Sequence, residues 1–104
     1  MEIVIHGHHA VISPHMQRRA ERQVRRLARR LPRAVRSVVR FEQDGAFRRV
    51  EVELHAPRRR PLVAQGIARH YGPALGEAVE RLEAQLRRLR RTQVRRRATA
   101  GSRA

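Results

Sequence analysis

The sequence has no cysteine and no tryptophan, and its basic residues are arginine throughout, with no lysine. The absence of cysteine excludes a disulfide framework and thiol chemistry, and makes a cytoplasmic setting the simplest expectation. Aromatic residues make up 3% of the chain, at Phe41, Phe47 and Tyr71. A sheet that reads single-stranded bases by stacking needs aromatics on its open face, and at most one or two positions could serve here. Serine occurs only at Ser13, Ser37 and Ser102. No G-x-S-x-G, Walker or H-E-x-x-H pattern is present, so neither an enzyme nor a small-molecule substrate or cofactor is expected. No stretch approaches the ~20 apolar residues of a bilayer span. The opening segment MEIVIHGHHA lacks the basic start and long apolar run of a signal peptide. Acidic residues are scarce, 9 against 25 arginines.

That scarcity turns attention to what is abundant. The net charge is +16 and the pI about 12.0 over 104 residues, a length that suits one domain. GC-rich coding explains arginine in place of lysine, but not the excess of basic over acidic residues. Such an excess repels itself unless a polyanion neutralises it, and nucleic acid is the obvious one. A hydrophobic fraction of 40% suits a folded chain.

The apolar pattern predicts the order β-α-β-β-β-α. Glu2 to His9 alternates as a strand, with Ile3, Ile5 and Gly7 on one face and Glu2, His6 and His8 on the other. Ser13-Pro14 then provides an N-cap and a first-turn proline. Met16, Ala20, Val24, Leu27 and Leu31 form the stripe of an amphipathic helix, which Pro32 ends. Val35–Glu42 and Phe47–Ala56 read as strands around an Asp44-Gly45 turn. Leu62–Ala68 reads as a fourth strand of unclear facing, because its apolar residues occupy both parities. A last helix begins near Pro73, with Glu77 and Glu80 expected in or near its first turns, where the macrodipole favours anions. Its stripe is Leu75, Val79, Leu82, Leu86 and Leu89. Beyond Arg91 the stripe fades, and residues 92–104 are expected to form a flexible basic tail to a domain of residues 1–91. The fold class is thus α+β: a four-stranded sheet, strands two to four an antiparallel meander, with two helices packed on one face.

The first helix carries Arg18, Arg19, Arg22, Arg25, Arg26, Arg29 and Arg30 against Glu21 alone. The second carries Arg81, Arg87, Arg88, Arg90 and Arg91. Side by side on a sheet, the two would merge their outer surfaces into one basic face. Guanidinium groups bind phosphate oxygens bidentately and stay charged at any relevant pH. Without aromatics or a G-x-x-G loop of the KH kind, recognition is expected to rest on phosphates and the shape of folded RNA. The candidate RNA contacts are Arg22, Arg25, Arg26, Arg29, Arg81, Arg87, Arg88, Arg90 and Arg91. His6, His8 and His55 tempt a metal reading, but no cysteine or acidic residue is placed to complete four ligands, and no metal is expected. Glu51 and Glu53 are expected as cross-strand partners for arginine on a solvated face.

Several segments, in order, resemble the ribosome hibernation promoting factor / ribosome-associated translation inhibitor family, also called the sigma-54 modulation protein family. They are Met1-Glu2-Ile3-Val4-Ile5-His6-Gly7 with Ser13-Pro14, Val50 to Pro57, Leu62-Val63-Ala64-Gln65-Gly66, and Ala78 to Arg88. Arg69-His70-Tyr71-Gly72, Gln23 and Ala84 depart from the family pattern. The resemblance implies the same β-α-β-β-β-α fold, similar to a double-stranded-RNA-binding domain. It implies binding to small-subunit rRNA in the decoding channel of the ribosome, which would block mRNA and tRNA. Basic family positions carry over to Arg26, Arg29, Arg81, Arg87, Arg88 and Arg90. The likeness is to the short form, so any pairing of ribosomes would call for another hibernation factor. The competing expectation is a general structured-RNA module without ribosome preference.

Overall fold

The computed structural model describes residues 1–101, with side chains through Thr92. The elements are β1 (Glu2–His8), α1 (Pro14–Ala28), β2 (Arg36–Asp44), β3 (Phe47–His55), β4 (Leu62–Ala68) and α2 (Tyr71–Gly101). They form one four-stranded sheet in the order β1-β2-β3-β4. β1 pairs parallel with β2, the pairing that a helical crossover through α1 permits. β2, β3 and β4 are the expected antiparallel meander. The β2–β3 turn holds Gly45 at φ +61°, a left-handed conformation that glycine adopts without penalty.

Ser13 starts α1 as its pattern predicted. Its backbone is extended, and its hydroxyl accepts the Met16 N–H at 3.1 Å. Ser13→Ala should therefore lose about 0.5–2 kcal/mol in a thermal melt; an unchanged melt would mean the cap is idle. α1 ends at Ala28, but its apolar stripe continues one turn further. Arg30 and Leu31 donate to the carbonyls of Leu27 and Ala28, which keeps Leu31 in the core.

The core lies between one sheet face and both helices. Register sets Ile5, Val39, Val52 and Ala64 in one row and Gly7, Phe41, Val50 and Gly66 in the next. Against these rows pack Ala20, Val24 and Leu27 of α1 and Leu75, Ala78, Leu82 and Leu86 of α2. Phe41 is fully buried and meets the Tyr71 ring edge-on at 5.3 Å between centroids. Buried Ser37 is satisfied by donating to the Glu53 carbonyl at 2.7 Å.

The facing of β4, illegible in the sequence, is settled by this register. Leu62, Ala64 and Gly66 turn to the core, and Val63, Gln65 and Ile67 to the open face. β4 is also an edge strand, and α2 covers that edge. Arg81 donates to the Gln65 carbonyl and Gln85 to the Val63 carbonyl, both at 2.8 Å. Bonded carbonyls are unavailable to a foreign strand.

α2 departs from expectation at both ends. It begins at Tyr71, because His70 accepts the Ala74 N–H, so Pro73 falls within the first turn, where its missing N–H costs nothing. Glu77 and Glu80 consequently lie beyond that turn, and the macrodipole does not explain them. At the other end the helix passes Arg91 and runs to Gly101. The fading of the apolar stripe beyond Arg91 does not end the helix. That loss removes packing but not helix propensity, and neither glycine nor proline interrupts residues 92–100. Ser102, Arg103 and Ala104 lie outside the described residues. Among the described residues no helix is long and apolar enough to cross a membrane.

Candidate nucleic-acid interface

The two helices lie side by side on the sheet and run in the same direction. Arg26 meets Glu83 at 2.5 Å, while Arg19 and Gln23 line a groove with Gly76 and Val79. Further along, Arg29 and Arg30 line a groove with Arg87 and Arg90. The expected juxtaposition of two cationic helices is therefore present, but its charge is uneven. In the first half of the interhelical seam, Glu80 and Glu83 of α2 share groove linings with Arg19 and Arg26 of α1. In the second half the lining is arginine and apolar residues alone.

The candidate arginines divide accordingly. Arg29, Arg87 and Arg90 come together around a groove of about 550 Å³ whose other walls are Arg30, Pro32, Leu86 and Leu89. Arg22 and Arg25 are exposed on α1, and Arg88 and Arg91 on α2. Arg26 is drawn into the seam by Glu83. Arg81 sits on the opposite flank of α2, held by Glu77 at 2.9 Å and by the β4 edge. Arg87 keeps a loose approach to Glu83 at 3.9 Å.

The fold adds arginines that helix patterns did not reveal. β2 begins where β3 ends, with Arg36 opposite His55, and β4 begins beside it, with Leu62 opposite Leu54. The loop Pro57-Arg58-Arg59-Arg60-Pro61 therefore lies at the end of the sheet where α1 also finishes. Gln85 bonded to Val63 brings Leu86 to Arg91 to the same end. Arg30, Arg33, Arg58, Arg59 and Arg60 thus join Arg29, Arg87 and Arg90 in one basic pole. The signal is an arginine run between two prolines, and only the strand order places it beside the helices. Of the carboxylates near this pole, Glu2 approaches Arg36 at 3.8 Å. Glu42 and Asp44 lie at the far end, beside Arg49.

In a comparison against protein-family models, residues 3–94 match "Sigma 54 modulation protein / S30EA ribosomal protein". The chain belongs to the sigma 54 modulation protein / S30EA ribosomal protein family. The family is non-enzymatic. Among solved structures, a ribosomal subunit interface protein from Coxiella burnetii matches with a TM-score of 0.74 at 20% identity, covering 86% of this chain and 98% of that one. The Protein Y N-terminal domain from Thermus thermophilus matches with a TM-score of 0.74 at 23% identity, covering 86% and 99%. These likenesses show the shared fold. No curated protein sequence matches the chain at a significant level.

In this family member the open sheet face has a different character from the basic pole. Arg40 bonds Glu51 at 2.9 Å and also reaches Glu53, whose other oxygen contacts His55 Nε2 at 3.0 Å. Gln65 donates to Glu51 at 2.7 Å. The paired carboxylates are thus cross-strand partners of arginine, as their alternation suggested. β2 separates His55 from the β1 histidines, and among the described residues no three metal-ligating side chains converge. Burial pushes the Glu53 carboxyl up, but the hydrogen bonds from His55 and Arg40 and the charge of Arg40 outweigh it and hold it below its ordinary value. A depressed carboxylate contributes stability above its unfolded pKa and loses it as pH falls through the folded value. Arg40→Met should then lower stability by about 1 kcal/mol at pH 7 and by less once the pH has fallen through the folded carboxyl value, read from melts at both. An equal loss at the two would show that Arg40 acts by packing alone.

Proposed function

We propose that the chain silences ribosomes by binding small-subunit rRNA in the decoding channel, where it excludes mRNA and tRNA. The observation that supports this most is the basic pole. Three separate parts of the chain, the end of α1, the β3–β4 loop and the middle of α2, bring arginines to one end of the fold with little acidic compensation. Family membership supplies the ribosomal context, and one of the solved structures the chain resembles is itself described as a ribosomal subunit interface protein. The binding set is Arg22, Arg25, Arg29, Arg87, Arg88, Arg90 and Arg91, with Arg26 and Arg81 available after release from Glu83 and Glu77. Arg30, Arg33 and Arg58 to Arg60 extend it. In this reading residues 1–91 form the ribosome-binding unit and the residues after them a basic accessory. The protein works in the cytoplasm of resting or stressed cells.

Sucrose-gradient sedimentation of a stationary-phase extract tests the reading. The protein is expected in the small-subunit or whole-ribosome fractions at low salt, and its presence only at the top of the gradient would refute ribosome association. Arg87→Glu combined with Arg88→Glu should shift it toward the top; an unshifted profile removes this stretch of α2 from the interface. Equal displacement from ribosomes by bulk duplex RNA and by free small subunits would favour a general structured-RNA module instead.

A further inference from the structure

The half-open groove between the end of α1 and the middle of α2 differs from the rest of the seam. Its walls carry Arg29 and Arg30 from one side and Arg87 and Arg90 from the other, over a floor of Pro32, Leu86 and Leu89. The two neighbouring grooves contain Glu77, Glu80 or Glu83, which would repel a phosphate. Among the described residues, only Arg87 of the four has a carboxylate nearby, and that at 3.9 Å. The C-terminal end of α1 also points its partial negative charge this way. That amounts to roughly half an elementary charge and is outweighed by four full positive ones. Four guanidinium groups around about 550 Å³ repel one another until an anion enters.

A bare phosphate would satisfy the charge but leave the apolar floor unused. We propose that this groove seats one nucleotide, its phosphate held by the four arginines and its base laid on Pro32 and Leu89. Guanidinium planes also stack on bases, which offsets the shortage of aromatics in the chain. The volume falls within the range of small-ligand sites. The seat rests on the RNA-binding reading for its main source, an unpaired nucleotide of a folded RNA. A free nucleoside triphosphate presents the same chemistry, and the experiment separates the two.

The test measures binding of the full chain at 50 mM salt to two pairs of probes. One pair is an RNA hairpin with a single bulged adenosine and the same hairpin with an abasic residue at the bulge. The other is adenosine 5′-triphosphate and inorganic triphosphate. The bulged hairpin is expected to bind at least about tenfold more tightly than the abasic one. Base preference only in the second pair assigns the seat to free nucleotides. No base preference in either pair overturns the proposal, while RNA binding itself stands as long as both hairpins bind.

Arg30→Glu with Arg90→Glu should abolish the base preference. Arg18→Glu with Arg22→Glu, an equal change of charge on the exposed part of α1, should weaken both hairpins alike and preserve it. If the two double variants behave identically, the groove is not the seat. Leu89→Ser provides a second check without altering charge: a folded variant with undiminished base preference would also overturn the proposal.

Discussion

Raising the salt from 50 to 200 mM is expected to weaken binding to small ribosomal subunits by roughly 10³- to 10⁵-fold. This estimate follows from counterion release. Each phosphate neutralised frees condensed cations, and the entropy gained shrinks as bulk salt rises. A slope of about −0.7 to −0.9 per phosphate, over six to ten phosphates, yields that range. The basic pole makes such a number reachable. Arg29, Arg30, Arg87 and Arg90 surround one groove, with the arginines of the β3–β4 loop and the exposed arginines of α1 nearby. Most have no carboxylate within salt-bridge distance among the described residues, so little internal pairing must be broken first. An interface built on the open sheet face would behave differently. There Arg40 is already committed to Glu51 and Glu53, and Val63 and Ile67 would supply apolar contact with weak salt dependence. Titration of binding at four or five salt concentrations decides between the two faces. A slope matching only one or two phosphates would move the interface away from the pole.

The layout of that pole explains what could be read in the chain and what could not. Strands and helices were legible because their patterns are local. The alternation of Val50, Val52 and Leu54, the Asp44-Gly45 turn and the Ser13-Pro14 cap each act within a few residues, and tertiary packing agreed with them. The facing of β4 was not legible. Val63 and Ile67 are apolar on the open face, whereas Gly66, with no side chain to signal burial, faces the core. The groove was also beyond reach. It pairs Arg29 and Arg30 with Arg87 and Arg90, and this offset depends on how far α2 slides along β4. Sequence spacing could place seven arginines along the expected first helix, but not show that Arg29 and Arg30 fall just past the end of α1, or that Glu83 would claim Arg26 and leave those two free. Nor could it place Arg58, Arg59 and Arg60 beside the end of α1. Charge on a single helix follows from its own sequence, while a basic surface belongs to the assembled fold.

The sliding of α2 along β4 is limited at Gly66, where the largest stability effect is expected. A Cβ added to Gly66 would lie 2.0 Å from the Ala74 carbonyl oxygen and 2.8 Å from the Ala78 backbone nitrogen. Both are helix backbone atoms that cannot rotate aside. Gly66→Ala therefore forces α2 to lift or slide, and the fully buried Leu75, Ala78 and Leu82 move with it. Overpacking of a core typically costs about 1–3 kcal/mol, occasionally more. An obstacle made of backbone places this substitution at or above the top of that range. For a domain of this size, about 3 kcal/mol corresponds to a fall in Tm of roughly 12–24 °C. Gly76→Ala is the matched control. A Cβ there meets nothing within 4 Å, and glycine inside a helix is unfavourable by itself. That substitution should stabilise by about 0.4–1 kcal/mol. The same added methyl group, 10 positions apart in sequence, is thus expected to act with opposite sign. If Gly66→Ala melted within a few degrees of the parent, α2 would have room to shift on β4, and the close approach at Gly66 would not be what sets Arg87 and Arg90 opposite Arg29 and Arg30.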